Sequence, residues 1–291
     1  MTPDGYLVLD KPAGWTSHDA VARCRRLLGT RRVGHAGTLD PDATGVLVVG
    51  VGRATRLLRY ATLMAKSYVG EVVLGVGTST LDASGEVTAR ADMAGVTLEA
   101  VRQAALTLTG RIEQVPPMVS ALKHEGRRLH ELAREGVEVE RAARPVEVSR
   151  FDVFATGEAG VVRVLVDCSS GTYVRVLAAD LGARLGGVAH LRSLRRLAVG
   201  SFRDTDAIGL EDVAPERVQP PAGLVRDLAR ATLPPELVEA VAHGKVLDRS
   251  LVGVSGSGPW ALLDGDGDLV AVAEARGVER VKPSVVLAAA R

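Results

Sequence analysis

The spacing of apolar and polar positions divides the chain into short strands and helices of moderate length. Tyr6 to Leu9 reads as a short apolar strand and Val46 to Val51 as a buried one. Residues 67–76 alternate with the period of a half-buried strand, and Val161 to Asp167 forms another. Residues 18–28 read as a helix with Ser17 as its N-cap and Gly29 just past its end. Arg53 to Ala61 looks helical. Leu98 to Leu108 is an amphipathic helix between Thr97 and Gly110, and Tyr173 to Leu185 is a helix ended by Gly186 and Gly187. Strands and helices do not alternate as strictly as in a doubly wound fold, so the pattern predicts the α+β class. A Pro-rich break, PERVQPPAG at 215–223, precedes a change of character. A helix from Pro235 to Ala242 leads there into a small β unit: Trp260 to Leu263, a turn at Asp264–Gly265–Asp266–Gly267, Leu269 to Glu274, and Val285 to Leu287. The expected division is therefore 1–228 and 229–291.

Composition narrows the class. Of 291 residues, 46% are hydrophobic and 24% charged, as in an ordinary globular protein. Aromatics are only 3%, so each tyrosine calls for a reason. Two cysteines, Cys24 and Cys168, cannot build a disulfide framework or a four-ligand zinc site. The start, MTPDGYLVLDKPAG, lacks the basic region and apolar core of a signal peptide, and apolar runs are too short to span a bilayer; a cytoplasmic protein with no membrane partner is expected. The net charge is only +1. Its distribution is uneven, with nine Lys or Arg against Asp40 and Asp42 over 20–70, and five Arg with no acid over 184–203. Such asymmetry can build a basic groove, although solvated arginines on helix faces explain it equally well.

Several motifs fall away on inspection. Asp264, Asp266 and Asp268 begin like a calcium loop, but Leu269 replaces the turn glycine and Ala275 the bidentate glutamate, so a hairpin turn explains them better. The Gly50–Val51–Gly52 and Gly75–Val76–Gly77 runs lack the third glycine of a dinucleotide fingerprint. Ser169 and Ser170 lie near Gly171 but form no nucleophile elbow, and the six histidines show no metal-ligand spacing. The informative run is Gly34-His35-Ala36-Gly37-Thr38-Leu39-Asp40-Pro41-Asp42-Ala43-Thr44-Gly45. Its glycines and proline make it a loop that can bring backbone close to a ligand, anchored by the strand that follows. On these grounds alone, Asp40 is as well read as a cap for nearby amides as a catalytic group.

That run closely resembles the signature of the TruB family of tRNA pseudouridine synthases. The resemblance covers most of the chain. Asp10-Lys11-Pro12-Ala13-Gly14, Lys66-Ser67-Tyr68 and Cys168-Ser169-Ser170-Gly171-Thr172-Tyr173-Val174-Arg175 look like three further family motifs in the right order. Pro117 through Lys123 and Gly136 through Pro145 are similar to its RNA-contacting insertion, about 115–145, and Leu194-Arg195-Arg196-Leu197 matches another segment. One departure is Ser79, where the family often carries an acid.

The resemblance implies a pseudouridine synthase fold: a large mixed, mainly antiparallel sheet flanked by helices, followed by a small PUA-like RNA-binding β domain. It implies isomerisation of uridine 55 in the T-arm of tRNA, without metal or cofactor, by a monomer needing no protein partner. Asp40 would be the catalytic carboxylate, Arg175 the cation favouring its charged form, and Asp82 the carboxylate that orients Arg175. Tyr68 would stack on the uracil, and Tyr173 and Leu194 would line the base pocket. His35 would take the place of a base flipped out of the loop, a step costing a few kcal/mol. Lys11 would be mainly structural, in a buried ion pair near the site. In the insertion, Lys123, Arg127, Arg128, Arg134, Arg141 and Arg144 face seven acids over 113–147, so shape would outweigh bulk charge there. Two other classes stay open: a tRNA-binding or tRNA-folding factor in which catalysis is secondary, and a carboxylate hydrolase using Asp40 with Asp82.

Overall fold

The computed structural model describes residues 3–287 except 121, 125, 130, 131, 133, 134 and 138. Arg134 and the side chains of Lys123 and Arg128 lie outside the described residues. In chain order the strands are β1 (Gly5–Lys11), β2 (Val33–Ala36), β3 (Thr44–Val51), β4 (Lys66–Leu74), β5 (Val76–Thr78), β6 (Val87–Arg90), β7 (Gly110–Gln114), β8 (Lys123–His124) and β9 (Arg127–Arg128). They continue as β10 (Arg144–Ala155), β11 (Val161–Cys168), β12 (Ala189–Val199), β13 (Phe202–Arg203), β14 (Ala229–Thr232), β15 (Leu247–Asp248), β16 (Trp260–Leu263), β17 (Leu269–Arg276) and β18 (Arg280–Val286).

Among the described residues, nine strands make one sheet in the order β1-β3-β12-β4-β11-β10-β7, with β2 on β3 and β13 on β12. Every pairing is antiparallel except β3 with β12. This is the mixed, mainly antiparallel sheet that the family resemblance implies. β3 reads as an unbroken apolar run because both its faces are covered. Val46 and Val48 enter one core with Tyr6, Val8 and Phe202, while Leu47, Val49 and Val51 enter another with Leu7, Leu9, Val21 and Leu28. Each such buried side chain contributes roughly 1.5–3 kcal/mol of transfer free energy.

The helix α1 (Ser17–Leu27) covers the second core. Its N-cap is Thr16, not Ser17: the Thr16 hydroxyl accepts from the Asp19 amide at 3.0 Å, and the Asp19 carboxylate accepts from the Thr16 amide at 3.0 Å. That reciprocal pair is a capping box, worth about 1 kcal/mol. Ser17, freed from capping, is buried. Residues 53–61 are not one helix but a 3-10 segment, Gly52–Leu57, running into the short helix α2 (Leu58–Leu63). Thr97 caps Leu98–Leu106, two residues shorter than the expected helix, and Tyr173 stands at the N-cap of the helix Val174–Arg184 and not inside it. β10 and β12 were not evident from periodicity. β10 alternates but carries a bulge between Val148 and Arg150, and β12 has two bulges and three arginines at its centre.

After the proline-rich break, β14-β16-β17-β18-β15 form a second sheet. The Asp264 carboxylate accepts from the amides of Asp266 and Asp268 at 3.1 and 2.9 Å and closes the β16–β17 hairpin, in keeping with the hairpin reading. Leu269, Val272, Val285 and Leu287 of this unit share one core with Leu57, Leu58 and Tyr60 of the large sheet's side.

Candidate active site

The loop 37–43 between β2 and β3 carries Asp40 to the edge of a cleft of about 610 Å³. His35, Asp40, Tyr68, Tyr173, Arg175 and Leu194 all line it, from four separate parts of the sequence. Asp82 and Lys11 stand behind it. The loop's course follows from three contacts. Ser17 accepts from the Leu39 amide at 2.9 Å and donates to the Leu39 carbonyl at 3.1 Å, as a neighbouring strand would. Lys11 donates to the Pro41 carbonyl at 2.8 Å, and Arg196 donates to the Gly37 carbonyl at 3.0 Å. Gly37, at φ +84°, and Gly45, at φ +99°, supply left-handed backbone at either end. A β-carbon on Gly45 would sit 2.2 Å from the Arg196 carbonyl, so only glycine lets β3 and β12 approach there.

Arg175 is almost fully buried and joins the charged groups. One Nη donates to Asp40 and the other to Asp82, each at 3.3 Å, and Nη2 also reaches the Val119 carbonyl at 2.6 Å. Val119 belongs to the segment 115–145, so the guanidinium also ties that segment to the cleft. Asp82 is oriented from its other side: Oδ1 accepts from the Thr80 hydroxyl at 2.6 Å, the Ser84 hydroxyl at 2.5 Å and the Ser84 amide at 3.1 Å. The turn that presents it holds Leu81 at φ 65°, the single non-glycine residue with positive φ among the described residues. A side chain there costs of order 1–3 kcal/mol, and such strain gathers where position matters. Ser79 closes the same turn by accepting from the Glu86 amide at 3.2 Å, a backbone role that needs no acid.

Electrostatics partly correct the expectation for Asp40. Its carboxyl titrates above the ordinary aspartate range, because burial raises it more than the Arg175 cation lowers it. The side chain is nonetheless 45% exposed to the cleft, which leaves room for a reacting partner. His35, on β2, is pushed down to about 4 by burial and by the nearby His18 and Arg196, and is therefore neutral at pH 7. Its ring meets His18 edge-on at 5.6 Å. Such an imidazole is a weak base and an uncharged stacking surface. Tyr68, buried on β4, and Tyr173 are both raised by burial and keep their protons. Among the described residues Lys11 makes no ion pair. Its ammonium, buried and pushed down to about 8, donates to the carbonyls of Pro12, Trp15 and Pro41, which corrects the expected buried ion pair.

Sequence reasoning missed four contributors. Gln114, buried on β7, brackets Tyr173 by accepting from its amide at 2.8 Å and donating to its carbonyl at 3.2 Å. Ser17 was taken for a cap. Lys66 and Arg196 fell inside family-like segments but received no role. The capping-box spacing Thr16-x-x-Asp19 could have released Ser17 for another task. Nothing in the sequence marks Gln114.

Comparison with known proteins places the chain in a family. Residues 25–174 match the model of the TruB family pseudouridylate synthase N-terminal domain, and 175–235 that of the tRNA pseudouridylate synthase B C-terminal domain. The chain is 50% identical over 283 residues to a tRNA pseudouridine synthase B of Rhodococcus jostii, covering 94% of this chain and 90% of that protein. It is 47% identical to that of Mycolicibacterium paratuberculosis, covering 99% and 98%. Among solved structures, a Cbf5-Nop10-Gar1 complex contains a chain that superposes with a TM-score of 0.77 at 27% identity, over 98% of this chain and 85% of that one. Family models spanning 25–235 and relatives near half identity over almost the whole length lead to one conclusion: the chain belongs to the TruB family of pseudouridylate synthases.

Proposed function

We propose that this enzyme converts uridine 55 in the T-arm of tRNA into pseudouridine, with Asp40 as its catalytic carboxylate. The observation that carries the reading is Asp40 itself: a carboxylate on a rigidly bracketed loop, open to the cleft and backed by the Asp40–Arg175–Asp82 chain. The reaction breaks the bond from C1′ to N1, turns the uracil and joins C1′ to C5. The C5 proton is lost and N1 gains one, so the product is an isomer. An ionised Asp40 meets the electron-poor sugar, the base or a sugar proton, and Arg175 keeps the charge available despite burial.

The target base has to leave its stack to reach this depth. His35, neutral and beside His18, suits the gap left in the RNA loop. Tyr68, Tyr173 and Leu194 supply the walls for the uracil, and the raised titration of Tyr68 favours stacking and hydrogen bonding over phenolate chemistry. The segment 115–145 and the C-terminal sheet, the latter as a PUA-like domain over 229–291, would hold the rest of the RNA, and the enzyme would act as a cytoplasmic monomer. Asp40→Asn separates this reading from that of a binding or folding factor. On a T-arm stem-loop it should lose about 10⁴-fold or more in rate while RNA affinity largely survives. Pseudouridine formed by Asp40→Asn at the wild-type rate would sink the assignment.

A further inference from the structure

Two buried cations that line the cleft have no part in the scheme above. Lys66 opens β4 and is 6% exposed, Arg196 lies in β12 and is 1% exposed, and both line the cleft. They converge under one residue: a β-carbon built on Gly37 would lie 3.6 Å from Nη1 of Arg196 and 3.9 Å from Cε of Lys66. Their hydrogen-bond partners are neutral. Lys66 donates to the carbonyls of Thr62 at 2.5 Å and Met64 at 2.6 Å, and Arg196 to those of Val46 at 2.7 Å and Gly37 at 3.0 Å. No ion pair joins either of them to a carboxylate among the described residues. Burial and the proximity of Arg196 both work against the Lys66 charge.

Two like charges held out of water with only carbonyls, the neutral Tyr68 hydroxyl and the buried Cys168 thiol around them are costly, and neutral donors would satisfy those carbonyls more cheaply. The arrangement makes sense where negative charge arrives. When the C1′–N1 bond opens heterolytically, its electron pair leaves with the uracil and spreads over N1, O2 and O4. C1′ is compensated by Asp40, through attack or through removal of the neighbouring sugar proton. When C5 bonds to C1′, C5 gives up its proton and N1 takes one up, and the charge on the base disappears. We propose that Lys66 and Arg196 form a cationic floor to the base pocket that stabilises the uracil while it carries this charge. Fixed positive groups in a site closed to water act strongly on a charge that develops between them. The inference rests on the pseudouridine synthase reading, with Asp40 acting on the sugar, and assigns the base side of the reaction.

The test uses Lys66→Gln, which keeps a donor for the carbonyls and loses the charge, and Lys66→Arg, which keeps the charge. Both are compared with wild type and Asp40→Asn in single turnover on a T-arm stem-loop, with RNA affinity and thermal midpoint measured for each. Lys66→Gln should lose about 10²-fold in rate with affinity within about threefold, and Lys66→Arg should stay within about tenfold of wild type. Arg196→Lys, which keeps the charge but not the planar fork, should also stay nearer to wild type than Lys66→Gln. Lys66→Gln turning over at the wild-type rate, or Lys66→Arg being as slow as Lys66→Gln, overturns the proposal. Failure of wild type to form pseudouridine on this RNA would instead overturn the substrate assignment and leave the two results distinguishable.

Discussion

Asp40 is held at an energetic cost to the fold, and that cost can be measured. A carboxyl whose folded pKa lies above its unfolded value favours folding in its protonated form. Ionisation therefore takes stability away as pH rises from the unfolded value through the folded one. Asp40→Asn, permanently neutral, should accordingly have a higher thermal midpoint than wild type at pH 7, and the gap should narrow as pH falls and wild-type Asp40 takes up its proton. A midpoint for Asp40→Asn below that of wild type at pH 7 would show that the Arg175 contact outweighs burial. Asp40 stood out in the sequence by its glycine and proline neighbours, but its role and that of Tyr68 came from the family resemblance. Ser17, Lys66, Gln114 and Arg196 belong to types that usually face water, and only tertiary contacts bury them. Lys11 was recognised, but its partners, three carbonyls, could not be read from a lysine beside a proline.

Among the elements, the start of α1 and the end of β1 act together on the Asp40 loop. Ser17 fixes the residue before Asp40 through both its amide and its carbonyl, and Lys11 fixes the residue after it. Ser17→Ala leaves the buried Leu39 amide and carbonyl without these bonds and should cost about 1–3 kcal/mol in urea unfolding. Because the loop then carries Asp40 less rigidly, turnover should fall by more than RNA affinity. Unchanged stability and turnover in Ser17→Ala would remove the clamp from the account. The same elements show what patterning can convey. β1 and β3 were visible because burial on both faces makes them continuously apolar. β12 was hidden because Arg195 and Arg196, paired respectively with Asp10 and with backbone carbonyls, break the pattern of a central strand. β10 was hidden by the bulge that shifts its alternation.

At the scale of the molecule, the proline-rich break suggested a second unit, and the second sheet indeed follows it. What no pattern in the sequence could show is that the two sheets share a core. Leu57, Leu58 and Tyr60 stand between the large sheet and Leu269, Val272, Val285 and Leu287. Polar contacts bind the rim: the Tyr60 hydroxyl lies 2.8 Å from that of Ser284, Arg59 pairs with Glu274 at 2.8 Å, and Arg56 donates to the Val286 carbonyl at 2.9 Å. The exposed Arg59–Glu274 pair adds little, about 0–1 kcal/mol, so the coupling rests on the apolar contact and on Tyr60. Units joined by a continuous core unfold together, whereas units joined by a polar seam melt separately. The full chain should therefore show one calorimetric transition. Tyr60→Ala removes a buried ring at the junction, at a cost of roughly 3–5 kcal/mol, and with it the hydroxyl that meets Ser284. It should split that transition in two, with the small sheet melting first because it has the smaller core to fall back on. Two transitions already present in the wild-type chain would mean that the shared core is too weak to couple the sheets, and that RNA bound at the small sheet could not steady the catalytic cleft through it.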